Sequence, residues 1–339
     1  MARHRWPRDD ALFGQAHELT LGAQFRTDAI ENGLDRTVAR RRLSTTRADD
    51  ILQTSGGLYW QDRTQWLEKF RTVAGVRGDA FRFDVDSDHP ANSGERSDFM
   101  ASPKLSLIFG PWARTEYYVS GGMGYHSNDG RGVNTTIDPG SGAAVSRADP
   151  LVRSEGTEVG VRTLIVPNLH STLALWLLDL DSELLFVGDA GTTEASRPSR
   201  RYGVEFANYY TPKPWLTLDA DFSWSHARFT DSDPAGDHIP GAVEGVIAAG
   251  ISVHELKGWY AGLRIRFFGP RALVEDDSVR SSSSTLLYAH LGYEFNDRWA
   301  IGVPVFNLLD SQVDDIAYYY TSRLPGEPRT FRVVARAKF

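Results

Sequence analysis

The chain is expected to be all-β: an antiparallel up-and-down transmembrane β-barrel of about fourteen strands. Three observations lead there. Helix-period apolar patterns are nearly absent while period-two runs recur throughout. Long and short connections alternate strictly. Tryptophans gather at the short connections.

The strand-like runs fall at residues 17–27, 50–61, 67–83, 102–109, 115–126, 155–166 and 172–186, then 201–210, 216–227, 246–253, 258–267, 285–295, 299–308 and 330–339. Many exceed the ~5–6 residues usual in soluble sheets and match the ~9–11 that a tilted strand needs to cross a bilayer. The short connections are residues 62–66, 110–114, 167–171, 211–215, 254–257 and 296–298; the long ones are 28–49, 84–101, 127–154, 187–200, 228–245, 269–284 and 309–329. Strict alternation gathers the long loops at one end of an up-and-down array, as in outer-membrane barrels. Trp66, Trp112, Trp215, Trp259 and Trp299 lie in or beside the short connections. Indoles prefer a membrane interface, so they suit a girdle at the periplasmic end.

Side chains on a strand alternate between two faces. In 216–227, Leu216, Leu218, Ala220, Phe222 and Trp224 oppose Thr217, Asp219, Asp221, Ser223 and Ser225. In 258–267, Trp259, Ala261, Leu263, Ile265 and Phe267 oppose Arg264 and Arg266. In 155–166, Val159 and Val161 are expected to meet lipid, with Glu158 and Arg162 inward. In 172–186, Ala174, Trp176, Leu178 and Leu180 are placed outward and Asp179, Asp181 and Glu183 inward. Arg201 and Glu205 share the inward parity. Such an interior needs water or a polar plug, because unpaired charges in a dry core are costly. These nine charged residues could line a ligand path, face a plug, or pair between neighbouring strands.

The chain ends in TFRVVARAKF, with Phe331, Val333, Ala335, Ala337 and Phe339 on one parity and most charge on the other. This pattern resembles the C-terminal signal read by the bacterial barrel-assembly machinery. Residues 1–16 begin basic and lack the 7–15-residue apolar stretch of a secretory signal, so they are placed outside the barrel, which is assigned to 17–339.

Composition narrows the function. No run approaches the ~20 apolar residues of a membrane helix, which leaves a barrel open. A net charge of −7 argues against nucleic acid. The absence of cysteine removes disulfides and thiolate metal sites. The nine histidines show no metal spacing, and no nucleophile motif stands out, so neither an enzyme nor a cofactor is expected. Asp84, Asp86 and Asp88 with Asn92 and Glu95 imitate a calcium loop, but His89 stands where that loop needs glycine; a solvated acidic loop is expected. His126, Asn128, Asp129 and Arg131 close a strand and open the longest loop, either as a ligand-facing cluster or as turn chemistry.

The stretches SPKLSLIFGPWARTEYYVSGGMGYHSNDGRG, ELLFVGDAGTTEASRPSRRYGVEF, DPAGDHIPGAVEGV and VFNLLDSQVDDIAYYYTSRLPGEPRTFR resemble the barrel of TonB-dependent outer-membrane receptors. The similarity implies the C-terminal part of a 22-stranded barrel in the outer membrane of a Gram-negative bacterium. It implies energy-coupled import of siderophores, cobalamin or other scarce ligands. The partners it implies are outer-membrane lipid, the barrel-assembly machinery, a small ligand such as a metal chelate, and TonB if a plug is supplied. The family's plug, TonB-binding box and signal peptide have no counterpart before His17, so a truncated receptor is expected. A passive porin-like channel of about fourteen strands and a soluble all-β binding protein stay open as alternatives. A self-closed barrel would pair residues 18–27 with 330–339.

Overall fold

The alternating runs become antiparallel strands whose hydrogen-bonded order follows the chain. The computed structural model describes residues 2–12, 15–187, 192–195, 197–317 and 323–338. Its strands are β1 (Ala2–Leu12), β2 (Gln15–Val38), β3 (Arg41–Leu67), β4 (Phe70–Ser87), β5 (Gly94–Trp112), β6 (Thr115–Ser127), β7 (Leu151–Thr163) and β8 (Leu169–Leu180). There follow β9 (Leu184–Val187), β10 (Thr192–Ala195), β11 (Ser199–Lys213), β12 (Leu216–Phe229), β13 (Gly245–Leu256) and β14 (Trp259–Phe268). The last are β15 (Ser284–Glu294), β16 (Trp299–Phe306), β17 (Asp314–Ala317), β18 (Arg323–Pro325), β19 (Thr330–Phe331) and β20 (Val334–Ala337). The sheet runs β1 to β8, β11 to β16 and β19, with β20 also on β16; β9–β10 and β17–β18 are separate hairpins. The only helix among the described residues with α geometry is α1 (Gly130–Asn134).

Two compact units divide the chain. The first is Met1–Phe109, Val119–Thr157 and Leu178–Ser199; the second is Gly110–Tyr118, Glu158–Leu177 and Arg200–Phe339.

In the first unit the expected loop 28–49 is not a loop. β2 and β3 pair through it to a two-residue turn at Ala39 and Arg40, both left-handed at φ 50° and 65°, the conformation that tight hairpins favour. Asn32-Gly33 carries a turn signal, yet Gly33 lies in the strand opposite Ala48. Cross-strand pairing along the whole of Ala16–Val38 outweighs it. The expected loop 84–101 likewise shrinks, since β4 and β5 pair as far as Val85 and Gly94. Pairing also starts earlier than His17: Ala2–Leu12 bonds to β2, with Ala2 opposite Ala23. Its mixed charges and proline hide the alternation. β2 therefore has β1 on one edge and β3 on the other, so both edges of 18–27, the strand that a self-closed barrel would pair with 330–339, are taken.

The second unit shows why parity matters. Leu218, Ile251, Leu263, Ala289, Val305 and Phe331 stand opposite one another in register, one apolar row across consecutive strands. One residue along, Asp219, Gly250, Arg264 and Tyr288 make the matching row of the other face. The expected faces of 216–227 and 258–267 hold. The last strand keeps its register but is split into β19 and β20, because Pro304 faces Arg332. The proline can accept from Arg332 N–H, at 3.0 Å, but has no N–H to return.

The facing expected along 172–186 is reversed. Leu173, Leu175 and Leu177 are 39%, 52% and 36% exposed, whereas Ala174 is 6% exposed. LALWLLDL is apolar on both parities, so alternation alone cannot choose. Packing chooses: a Cβ on Gly203 would lie 2.7 Å from the Trp176 ring, so glycine on β11 makes room for the indole opposite the leucine face. Asp179 then carries the parity of Leu175 and Leu177.

Replacing Leu175 by Arg should cost ~2–4 kcal/mol in a lipid-refolding titration, the range for a charge on a lipid face near the midplane. Ser223→Arg, on the charged face, should cost much less. Equal losses would contradict the assigned faces.

Candidate functional site

The longest connection, residues 128–150, is a packed structure in the first unit. Asp129 caps α1, accepting from Arg131 N–H at 2.9 Å. Asn128 is buried and holds the loop's far end, with its N–H on Pro150 O at 2.9 Å and Nδ2 on Asp149 O at 2.6 Å. Val133 and Ala148 are buried with Ile51, Phe83 and Val85 from the sheet. A Cβ on Gly130 would sit 2.8 Å from Ile51, so glycine sets how closely α1 can approach.

Side chains from β3, from β5 and from the turn between β4 and β5 hold polar groups of the loop. Arg96 donates Nη1 to Val133 O at 3.0 Å and Ala148 O at 2.8 Å. Asn92 accepts from Thr136 and Ile137 N–H at 2.9 and 3.0 Å and donates to Ile137 O at 2.9 Å. The expected solvated role of Asn92 is thus replaced by a buried bracket, while Glu95 pairs with Arg82 at 2.7 Å. Arg47 donates Nε to Asp49, and Nη2 reaches Arg131 O and Thr135 Oγ1, both at 3.1 Å. This ion pair is 1% and 0% exposed. Arg47 Nη1 and Asp49 Oδ1 remain buried without a partner.

Of the expected cluster, Asn128 is buried, and Asp129 and Arg131 pair with each other and are half-buried. Arg131 pairs with Asp129 at 2.5 Å and reaches Asn32 Oδ1 at 3.3 Å. Burial pushes the Asp129 carboxyl up. Hydrogen bonds from the Arg131 side chain and backbone N–H, with the charges of Arg131 and Arg47, outweigh it and hold the group below the usual range. His126 ends β6 with Nε2 buried and unpartnered.

Of the nine expected inward charges, the structure gathers some and separates others. In the second unit Arg162 pairs with Glu116 at 3.1 Å and lies 5.2 Å over the Tyr118 ring. Glu158 and Glu205 both lie within electrostatic reach of the Tyr118 hydroxyl. Arg201 shares the parity of Glu205 on β11. Arg264 reaches Asp219 at 2.7 Å, passing over Gly250, where a Cβ would be 2.7 Å from the carboxylate. Arg266 follows on the same face. In the first unit Asp181 and Glu183 lie past the end of β8, their N–H groups on Arg153 O and Arg197 O at 3.0 and 3.2 Å. There Arg77 pairs with Asp79 at 2.5 Å and reaches Gln24 at 3.3 Å across Gly57, which repeats the three-strand bridge over a glycine. Phe331 and Val333 are strongly exposed; Phe339 lies outside the described residues. Among the described residues no group of three or more His, Asp or Glu is placed to hold a metal ion.

Arg47, Arg96 and Thr135 were not singled out in the sequence, and Asn92 was placed only in an acidic, solvated loop. Only the i, i+2 spacing of Arg47, Asp49 and Ile51 hints that they share a face.

Arg47→Ala strands a buried carboxylate and should destabilise the first unit by ~3–5 kcal/mol, whereas Arg47→Met with Asp49→Leu should recover most of that loss. Chemical denaturation of the refolded protein reads both. Asp129, with its depressed carboxyl, contributes stability that is complete above the ordinary value of 3.8 and is lost as pH falls through the lower folded value. Protease resistance of 128–150 should hold from neutral pH to about 4 and fall below it; in Asp129→Asn that acid-dependent loss should be absent.

The TonB dependent receptor-like β-barrel family model matches residues 2–308. The metal-pseudopaline receptor CntO of Pseudomonas aeruginosa is 24% identical over 289 residues, covering 79% of this chain and 39% of that protein. The ferric yersiniabactin uptake receptor FyuA from Yersinia pestis superposes with a TM-score of 0.75 at 16% identity, covering 99% of this chain and 53% of the other. The closed form of the ferric-catecholate import receptor Fiu from E. coli gives 0.72 at 16% identity, with 96% and 52% covered. The chain spans about two-fifths of the length of its curated relative and about half of these solved chains. With its antiparallel up-and-down sheet and a family match over nine-tenths of its residues, the chain belongs to the TonB-dependent receptor-like β-barrel family.

Proposed function

We propose that this chain is the ligand-binding barrel portion of an outer-membrane receptor that takes up a small metal chelate. The observation that carries membrane placement is the registered apolar row Leu218–Ile251–Leu263–Ala289–Val305–Phe331. Large apolar residues around it, among them Phe222, Ile247, Ile265, Ile301 and Val303, are exposed. Soluble monomers rarely leave an apolar patch of more than a few hundred Å² uncovered; hydrocarbon accepts one. Trp66, Trp112, Trp215, Trp259 and Trp299 are all exposed beside short turns, which supports an interfacial girdle.

The ligand class rests on the relatives, whose names give metal-pseudopaline, ferric yersiniabactin and ferric catecholate as what they receive. The bracketed loop 128–150 is a preorganised element of the kind a ligand-facing surface needs. Energy coupling through TonB is proposed only for an assembly in which a plug is supplied.

Two measurements test this reading. Cysteine at Ser141 should react with an impermeant maleimide on intact cells, while cysteine at Lys69, in the turn between β3 and β4, should react only after lysis. The opposite pattern would reverse the orientation. In proteoliposomes, a ferric tris-catecholate should quench tryptophan fluorescence saturably. A steady open conductance without saturable binding would favour the passive channel instead.

A further inference from the structure

Six side chains join loops 230–244 and 269–283 of the second unit, and uptake gives them no role. The backbones already meet: His238 N–H donates to Glu275 O at 3.0 Å and Gly241 N–H to Ala272 O at 2.8 Å. Gly236, at φ +115°, approaches so closely that a Cβ would be 2.2 Å from Glu275 O. Phe229 at the end of β12, Ile239 in one loop, and Ala272 and Leu273 in the other are buried.

The charged groups at this junction form a closed circuit. His238 Nδ1 is 3.1 Å from Asp237, and its Nε2 is 3.8 Å from Asp277. Arg280 connects Asp277, at 2.5 Å, to Glu244, at 3.2 Å. Arg228 connects Glu244, at 3.7 Å, back to Asp237, at 3.8 Å. With His238 protonated, cation and anion alternate at all six positions. With it neutral, two guanidinium groups face three carboxylates.

We propose that His238 is a proton-binding site whose protonation closes this ring and clasps the two loops together. Three other charged or titratable groups stand near it. His226, on β12, opposes its protonation electrostatically and Asp276 favours it; Glu275 supplies the carbonyl that accepts from its N–H. Histidine is the side chain whose ordinary titration falls between pH 5 and 8. Only the charged form completes the alternation, so the clasp closes when His238 holds its proton and loosens when it does not. The pH outside the loop end then sets how tightly these loops are joined.

The test uses the full chain refolded in detergent micelles. Amide hydrogen exchange at positions 238 and 241 is compared at about pH 5.5 and 7.5, either side of the ordinary histidine value, after correction for intrinsic exchange. Protection should be about two- to fivefold greater at the lower pH, the size that partly exposed ion pairs allow. Amides of β14 should not change. In His238→Gln the pH effect should vanish, and in Asp277→Asn, which serves also if the first variant does not fold, it should shrink. A flat response in the native chain, protection that rises with pH, or an undiminished effect in either variant would overturn the proposal.

Discussion

A strand sends successive side chains to opposite faces, and in this protein the two faces suit two different solvents. That constraint organises the second unit row by row. Leu218 to Phe331 make an apolar line through six strands, and a one-residue slip anywhere would exchange it for Asp219 and Arg264. Register is strongly specified when the faces differ this much. On the proposed outer-membrane placement the penalty for a slip is charge in hydrocarbon, which ties sequence alternation to strand pairing.

The charged face solves a second problem, since bulky and ionised side chains crowd along neighbouring strands. Glycines relieve it. Asp219 and Arg264 meet over Gly250, and Arg77 spans from Asp79 to Gln24 over Gly57. Each bridge joins three strands, so it adds side-chain connections to the backbone ladder. The same face closes with different chemistry where loop 128–150 packs on it. There Arg47 and Asp49 are taken wholly out of water, and hydrogen bonds from Arg47, Arg96 and Asn92 to loop groups compensate only part of that cost. An incompletely satisfied buried pair is weak evidence for stability and better evidence for a fixed arrangement.

Much of this was legible where residue chemistry alternated cleanly. LTLDADFSW and WYAGLRIRF declare their faces, and the expected short connections beside the tryptophans are tight turns. LALWLLDL does not, because both parities are apolar and the choice falls to Gly203 on another strand. The hairpin at 28–49 was hidden by polar residues on both faces and by Asn32-Gly33, whose local preference loses to pairing along the whole strand. For Asn128 and Asp129 the sequence left a ligand-facing cluster and turn chemistry open, and in the fold they anchor the loop and cap its helix. Arg47 was not found and Asn92 was given a solvated role instead of its bracketing one, because their loop partners lie 40 or more residues away along the chain.

The most direct measurement is spin-label accessibility along β8 and β14 in lipid, residue by residue. Collision with oxygen, which concentrates in hydrocarbon, should peak at positions 173, 175 and 177 and at 261, 263 and 265. Collision with a polar nickel chelate should peak at the alternate positions. A period-two pattern in opposite phase for the two probes is the expected result. Signals that rise and fall together, or oxygen maxima at 174 and 176, would contradict the assignment of the two faces to two solvents.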